Sequence, residues 1–205
     1  MPQKTRVRDA RATRRRILDA ATAEFSAFGL AGARTARIAE VARANQRMIY
    51  ACFGNKDGLF DAVLEHHISD ARQAVTLDGR GLPGCATGCA QQVFDFYRAH
   101  PHLVRLSLWQ SLERPELMAK LPAVAVAMRD KVTAIRHAQE TGHVSSALPA
   151  ERVLDQVLTL AHGNITAAAH AEAWTDQQRH DLGAAVATLT LCSAAPTAPE
   201  AGGGA

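Results

Sequence analysis

The 205-residue chain is predicted to be all-α, with a small N-terminal helix-turn-helix domain joined to a larger helical body. Three observations predict it. Apolar residues recur at three- and four-residue spacing along the chain, and no run of four to eight alternating β-branched residues competes for a sheet. Proline and glycine punctuate the series where helices start and stop. Two short helical segments meet near residue 43 with the lengths of a DNA-reading pair.

In chain order, Thr13 is expected to cap a first helix carrying Ile17, Ala21, Phe25 and Phe28, with Gly29 as its stop. Thr35 is expected to cap a short second helix with Ile38, Ala39, Val41 and Ala42, and Asn45 a third with Ile49 and Phe53 inward and Gly54 at its end. Asn55 then caps a longer helix, with Leu59, Phe60, Val63, Leu64, His67 and Ile68 inward, to about residue 76. Past the Gly-rich link 79–84, Pro83, Pro101, Pro115, Pro122 and Pro149 open further segments. The last begins at a capping box, Thr175 with Gln178, and runs through Leu182, Val186 and Leu189. The organisation this predicts is a basic arm 1–12, a helix-turn-helix DNA-binding domain 13–60, a larger helical domain 61–193, and a low-complexity tail 194–205 expected to be disordered.

Hydrophobic residues at 47% and charged residues at 21% suit a folded globular chain and exclude wholesale disorder. No apolar stretch reaches the length of a membrane span and no secretory signal is legible, so a cytoplasmic, reduced setting is expected for Cys52, Cys85, Cys89 and Cys192. The charge is divided. Residues 1–60 hold 12 Lys/Arg against 5 Asp/Glu, whereas residues 61–205 hold 11 against 15. A cationic arm attracts polyanions by counterion release, which points to nucleic acid; the competing account is a terminus that merely aids solubility.

The stretch TRRRILDAATAEFSAFGLAGARTARIAEVARANQRMIYACFGNKDGLF, residues 13–60, resembles the N-terminal domain of the TetR family of bacterial transcriptional regulators. The match rests on the Ala-rich first helix ending in Phe25, Phe28 and Gly29, the Ile38-Ala39 pair, and the run from Ile49-Tyr50 through Phe53 and Lys56 to Leu59-Phe60. HPHLVRLSLWQSLERPE, residues 100–116, is similar to a C-terminal regulatory domain of some members. One departure is clear: Arg43 and Ala44 stand where the family usually has glycine and a larger aliphatic residue.

Gln46 and Arg47 fall in the first turn of the reading helix, where Arg suits guanine O6/N7 and Gln suits adenine, and Met48 can touch a thymine methyl. The resemblance makes Tyr50 a phosphate contact; Thr35 and Lys56 sit at positive helix ends suited to the same role. It also implies double-stranded operator DNA as partner, a homodimer built on the last two long helices, and a small-molecule effector above the fourth helix. For the interface the residues are Val153, Val157, Ala161, Leu182, Val186 and Leu189, though periodicity alone equally allows them to be buried within one subunit. Phe94, Tyr97, Trp109, Met128 and His162 are the candidate pocket residues, against ordinary core packing for each.

Cys85 and Cys89, four apart, could share a helix face as a thiol sensor or stay inert. The pairs His66-His67 and His100/His102 lack helical metal spacing, so no metal and no cofactor are expected. No nucleophile elbow, zincin, P-loop or dinucleotide motif is present, and the chain is not expected to be an enzyme. The expectation is a sequence-specific, ligand-relieved repressor, with a non-specific architectural DNA binder as the alternative.

Overall fold

The computed structural model describes residues 2–75, 85–171 and 174–190, with ten helices and no strand among them. They are α1 (Pro2–Gly32), α2 (Thr35–Val41), α3 (Gln46–Phe53), α4 (Lys56–Ala74), α5 (Cys85–Ala99), α6 (His102–Glu113), α7 (Leu117–Lys120), α8 (Pro122–Glu140), α9 (Ala150–His170) and α10 (Asp176–Thr190). The link 79–84, the tail 194–205 and Cys192 lie outside the described residues, as do the side chains of Lys4, Arg6, Arg8 and Cys85.

Local capping chemistry accounts for most helix starts. Asn45 accepts from the Met48 amide and Asn55 from the Gly58 amide, both at 2.7 Å, satisfying amides that have no intrahelical partner. Thr175 and Gln178 form the expected reciprocal box. Two expected caps do not form. Thr13 lies inside α1, which begins at Pro2, and Thr35 is the first residue of α2, whose capping position is Arg34 with no side-chain bond.

Gly29 bends α1 rather than ending it. Its φ of 68° and ψ of −177° break the amide ladder, and the helix resumes to Gly32. A Cβ at Gly29 would come within 2.9 Å of the Trp109 ring, so glycine is required both by the backbone and by the α6 side chain lying on it.

Around the reading helices, Ile17, Ala21, Phe25, Ile38, Ile49, Leu59 and Phe60 are fully buried, with Phe25 and Phe60 edge-to-face at 5.0 Å. This core does not stop at residue 60: it continues into Val63 and Leu64 of α4 and Leu103 and Leu106 of α6. The expected boundary therefore falls inside one continuous helix. A second core joins α5, α8, α9 and α10 through Phe94, Ile135, Val157, Ile165, Leu182 and Val186.

That second core corrects the expected dimer residues. Val153, Val157, Ala161, Leu182 and Val186 are at most 5% exposed within a single chain, and Leu189 packs against the same cluster. The α10 helix is already held on α5 by Arg179 to Asp95 and Arg98 to Asp176, so its apolar stripe faces its own subunit. These residues are therefore not available to a second copy.

Replacing Gly29 with alanine is expected to lower unfolding stability by about 2 kcal/mol, from positive-φ strain and the Trp109 clash together. Urea midpoints check it; a change below about 0.5 kcal/mol would contradict the close packing described.

Candidate DNA-reading surface and effector cavity

The turn between α2 and α3 is closed by the Arg43 amide on Glu40 O and the Ala44 amide on Ala39 O. Arg43 has φ 49°, the one positive-φ non-glycine among the described residues, so arginine adopts the conformation that glycine would take more cheaply. The cation this places at the turn is exposed.

From that turn α3 projects Gln46 and Arg47, both exposed and without a protein hydrogen bond among the described residues. Met48 and Tyr50 are exposed at 38% and 44%, while Ile49 is fully buried. One face of α3 thus anchors the helix and the other is free to meet a groove. The Tyr50 and Thr35 hydroxyls share a hydrogen bond of 3.2 Å, bringing these two candidates together across the helix pair.

Lys56 is placed differently. Its Nζ donates to Ala31 O and Ala33 O, both at 3.3 Å, and so closes the end of α1. These two bonds hold the ammonium group beside the α1–α2 link.

Several arginines do similar structural work that a charge count does not reveal. Arg16 donates to Ala42 O, and Arg14 lies 4.4 Å over the Phe53 ring while reaching Cys52 O. Arg37 meets Glu24 through Nε at 2.9 and 3.0 Å, and the Arg34 amide donates to the same carboxylate at 2.7 Å. Burial acts to raise the Glu24 carboxyl, but these donors outweigh it and hold its pKa below the ordinary carboxylate range.

The reading head is fixed to the body through α6. Glu113 accepts from the amides of Leu30 at 2.5 Å and Ala31 at 3.1 Å, just past the Gly29 bend. Arg114 adds contacts to Asp57 and Asp61 of α4 at 3.3 and 3.2 Å. Trp109, proposed as a pocket residue, belongs to this joint.

A cavity of about 260 Å³ lies between α4, α5 and α6, with His162 of α9 at its wall. Of the expected pocket residues, Tyr97 and His162 line it. Phe94 is instead core, fully buried with Trp174 at 5.3 Å, and Met128 packs against the second core. Gln110, Ser107 and Leu64 are lining residues that periodicity alone did not separate from core.

His67 stands between this cavity and a second, polar one in which His66, His100, His102, Arg15 and Asp19 gather. Thr22 donates its hydroxyl to Leu18 O and lies 2.8 Å from His67 Nε2, which makes that ring nitrogen the donor. Burial in this wall, reinforced by His66, pushes the imidazole pKa down to about 4. Among the described residues no group of three or more His, Cys, Asp or Glu is placed to hold a metal. Cys89 is buried, and the Cys85 side chain lies outside the described residues, so the expected thiol pair has no described geometry.

Two family models match successive segments of the chain. Residues 17–63 match the bacterial regulatory proteins, tetR family, and residues 86–190 match the tetracyclin repressor-like, C-terminal domain. The chain belongs to the TetR family. It is 40% identical over 158 residues to the HTH-type transcriptional repressor SCO4008 of Streptomyces coelicolor, covering 76% of this chain and 79% of that one. The crystal structure of the transcriptional regulator SCO4942 from the same species superposes with a TM-score of 0.71 at 32% identity, over 87% of this chain and 98% of that one. The transcriptional regulator FadR of Bacillus subtilis, solved in complex with stearoyl-CoA, shares the fold at 15% identity and a TM-score of 0.71, over 85% and 95%. Family membership makes the chain a sequence-specific DNA-binding transcriptional regulator, and its relatives SCO4008 and NicS of Pseudomonas putida are named as repressors. Among the described residues no helix is long and apolar enough to cross a membrane.

The depressed His67 pKa gives a signed expectation. Between about pH 4 and 6.5 the unfolded chain binds more protons at this group, so its stabilising contribution is complete above 6.5 and is lost as pH falls through the window, by up to about 3 kcal/mol. Urea titrations at pH 7 and pH 4.5 should show a smaller acid loss in His67→Gln than in the parent. Equal losses would remove His67 as the cause.

Proposed function

We propose that this regulator is a homodimeric, ligand-relieved repressor working on operator DNA in the cytoplasm. The observation that carries it is the dual use of α6: Leu106, Ser107 and Gln110 line the cavity, while Trp109, Glu113 and Arg114 grip the reading head. A molecule that repacks one side of α6 acts on the other within two helical turns. With α4 as the second wall, occupancy and head orientation are mechanically linked. FadR, crystallised with an acyl-CoA ligand, lends the fold-level precedent for ligand response.

In this account Gln46 and Arg47 read base edges, Met48 meets a thymine methyl, and Thr35 and Tyr50 hold phosphate, with Arg43 adding a turn cation. Lys56 supports them by fixing the end of α1. The second copy docks on the outward faces of α9 and α10, where Gly163, Ala167, Ala184, Ala185 and Thr188 offer small residues for close helix approach. The function is regulatory, with no catalytic role assigned. An architectural, non-specific binder is disfavoured because Gln46 and Arg47 stand unpaired on the reading face, where a purely electrostatic grip has no use for glutamine.

Selection from random duplexes supplies the operator, and two substitutions then test the assignment. Arg47→Ala should cost about 1 to 3 kcal/mol on the selected site and relax preference at one base position, whereas Arg43→Ala should weaken selected and random DNA alike and lower the salt slope by about one. Equal losses on both DNAs for Arg47→Ala would favour the architectural reading. For assembly, Ala185→Arg should yield monomer in light scattering with helicity retained, while Val157→Asp should unfold the body; a dimeric Ala185→Arg variant would move the interface elsewhere.

A further inference from the structure

We infer that the α4–α5–α6 cavity takes a compact ring compound bearing a neutral hydroxyl-like group and no negative charge; this rests on the ligand-relief reading above and specifies its ligand class. Size comes first. An engineered cavity of about 150 Å³ holds benzene, so about 260 Å³ suits a fused or substituted ring pair rather than a long chain with a charged head.

Charge is the second argument. Among the described residues no Lys, Arg, Asp or Glu lines the cavity, and its apolar wall is formed by residues such as Leu64, Ile68, Phe96, Leu103 and Met118. Its titratable members are uncharged near neutrality. Burial holds the His67 and His162 imidazoles below their ordinary values and the Tyr97 phenol above its own. An anion entering such a wall loses its water and gains no cation in return.

The polar groups that remain specify the third property. Ser107 and Ser111 donate their hydroxyls back to Val104 O and Ser107 O, leaving weak acceptor capacity. The Tyr97 hydroxyl has no hydrogen-bond partner among the described residues. Gln110, only 5% exposed, commits an amide N–H to Arg114 O at 2.8 Å and keeps its Oε1 without a partner. A free phenol donor and a free amide acceptor, beside two serines and two imidazoles in a mainly apolar wall, are complementary to a hydroxyl, which both accepts and donates.

The experiment is calorimetric titration of the full chain with 2-naphthol, naphthalene, 2-naphthoate and octanoyl-CoA, run beside anisotropy of the selected operator. The expected result is one 2-naphthol per subunit, with 2-naphthoate and octanoyl-CoA at least about tenfold weaker. Tyr97→Phe should remove most of the advantage of 2-naphthol over naphthalene, an effect of roughly three- to tenfold. Ser107→Phe, or Ile68→Trp from the opposite wall should the first not fold, should abolish binding of both neutral probes. Binding of 2-naphthoate or octanoyl-CoA as tight as that of 2-naphthol, or 2-naphthol binding unaffected by the filled cavity, or no binding of either neutral probe, would overturn the inference. If 2-naphthol binds as expected while the operator stays bound, the ligand class stands and the relief reading fails.

Discussion

A helix that bends sharply leaves amides without carbonyl partners, and the bend at Gly29 puts two of them, Leu30 and Ala31, under the carboxylate of Glu113. That acceptor, supplied from 83 residues away, ties the bend of α1 to α6. Trp109 fills the space that a side chain at position 29 would occupy, and Lys56 closes the carbonyls of Ala31 and Ala33 from the other side. The orientation of α2 and α3 therefore depends on this joint together with the Arg114 contacts and the apolar core that runs on from the head into α4 and α6.

Within the head, positive charge is divided by neighbourhood rather than by sequence. Arg14, Arg16 and Arg37 are bound into the fold through Phe53, the end of α2 and the buried Glu24. Arg43 and Arg47 project from the turn and the reading helix. The first group ties the platform together and the second is left exposed to solvent, although both contribute to the field that draws a polyanion in. The strained backbone at Arg43 fits this division, since it places at the turn a cation that glycine could not supply.

What the sequence made legible follows from the range of the interactions. Asn45 and Asn55 act on amides three residues away, so their caps can be read directly, as can the Thr175 and Gln178 box. Thr13 and Thr35 misled because a threonine before an apolar series looks the same whether or not the helix extends past it. The α9 and α10 stripes were found but their partner was not: periodicity tells that Val157 and Val186 are covered, and says nothing of which copy covers them. Tyr97 and His162 came out at the cavity while Phe94 and Met128 did not, because large residues among alanines mark core and cavity equally. Glu113 had no local signal at all, its two amides lying in another helix.

The two faces of α6 have a consequence for how members of such a lineage can diverge. Positions 103, 106, 107 and 110 look into the cavity, and 109, 113 and 114 hold the head, interleaved on one helix. Gln110 also donates to Arg114 O and belongs to both sets, whereas single substitutions at 103, 106 and 107 can reshape the cavity wall without removing a grip contact. A one-residue insertion or deletion cannot, because it turns everything beyond it by about 100° and presents the grip to the cavity. The cavity wall is thus open to point changes along this segment, whereas a change in its length would misplace the grip.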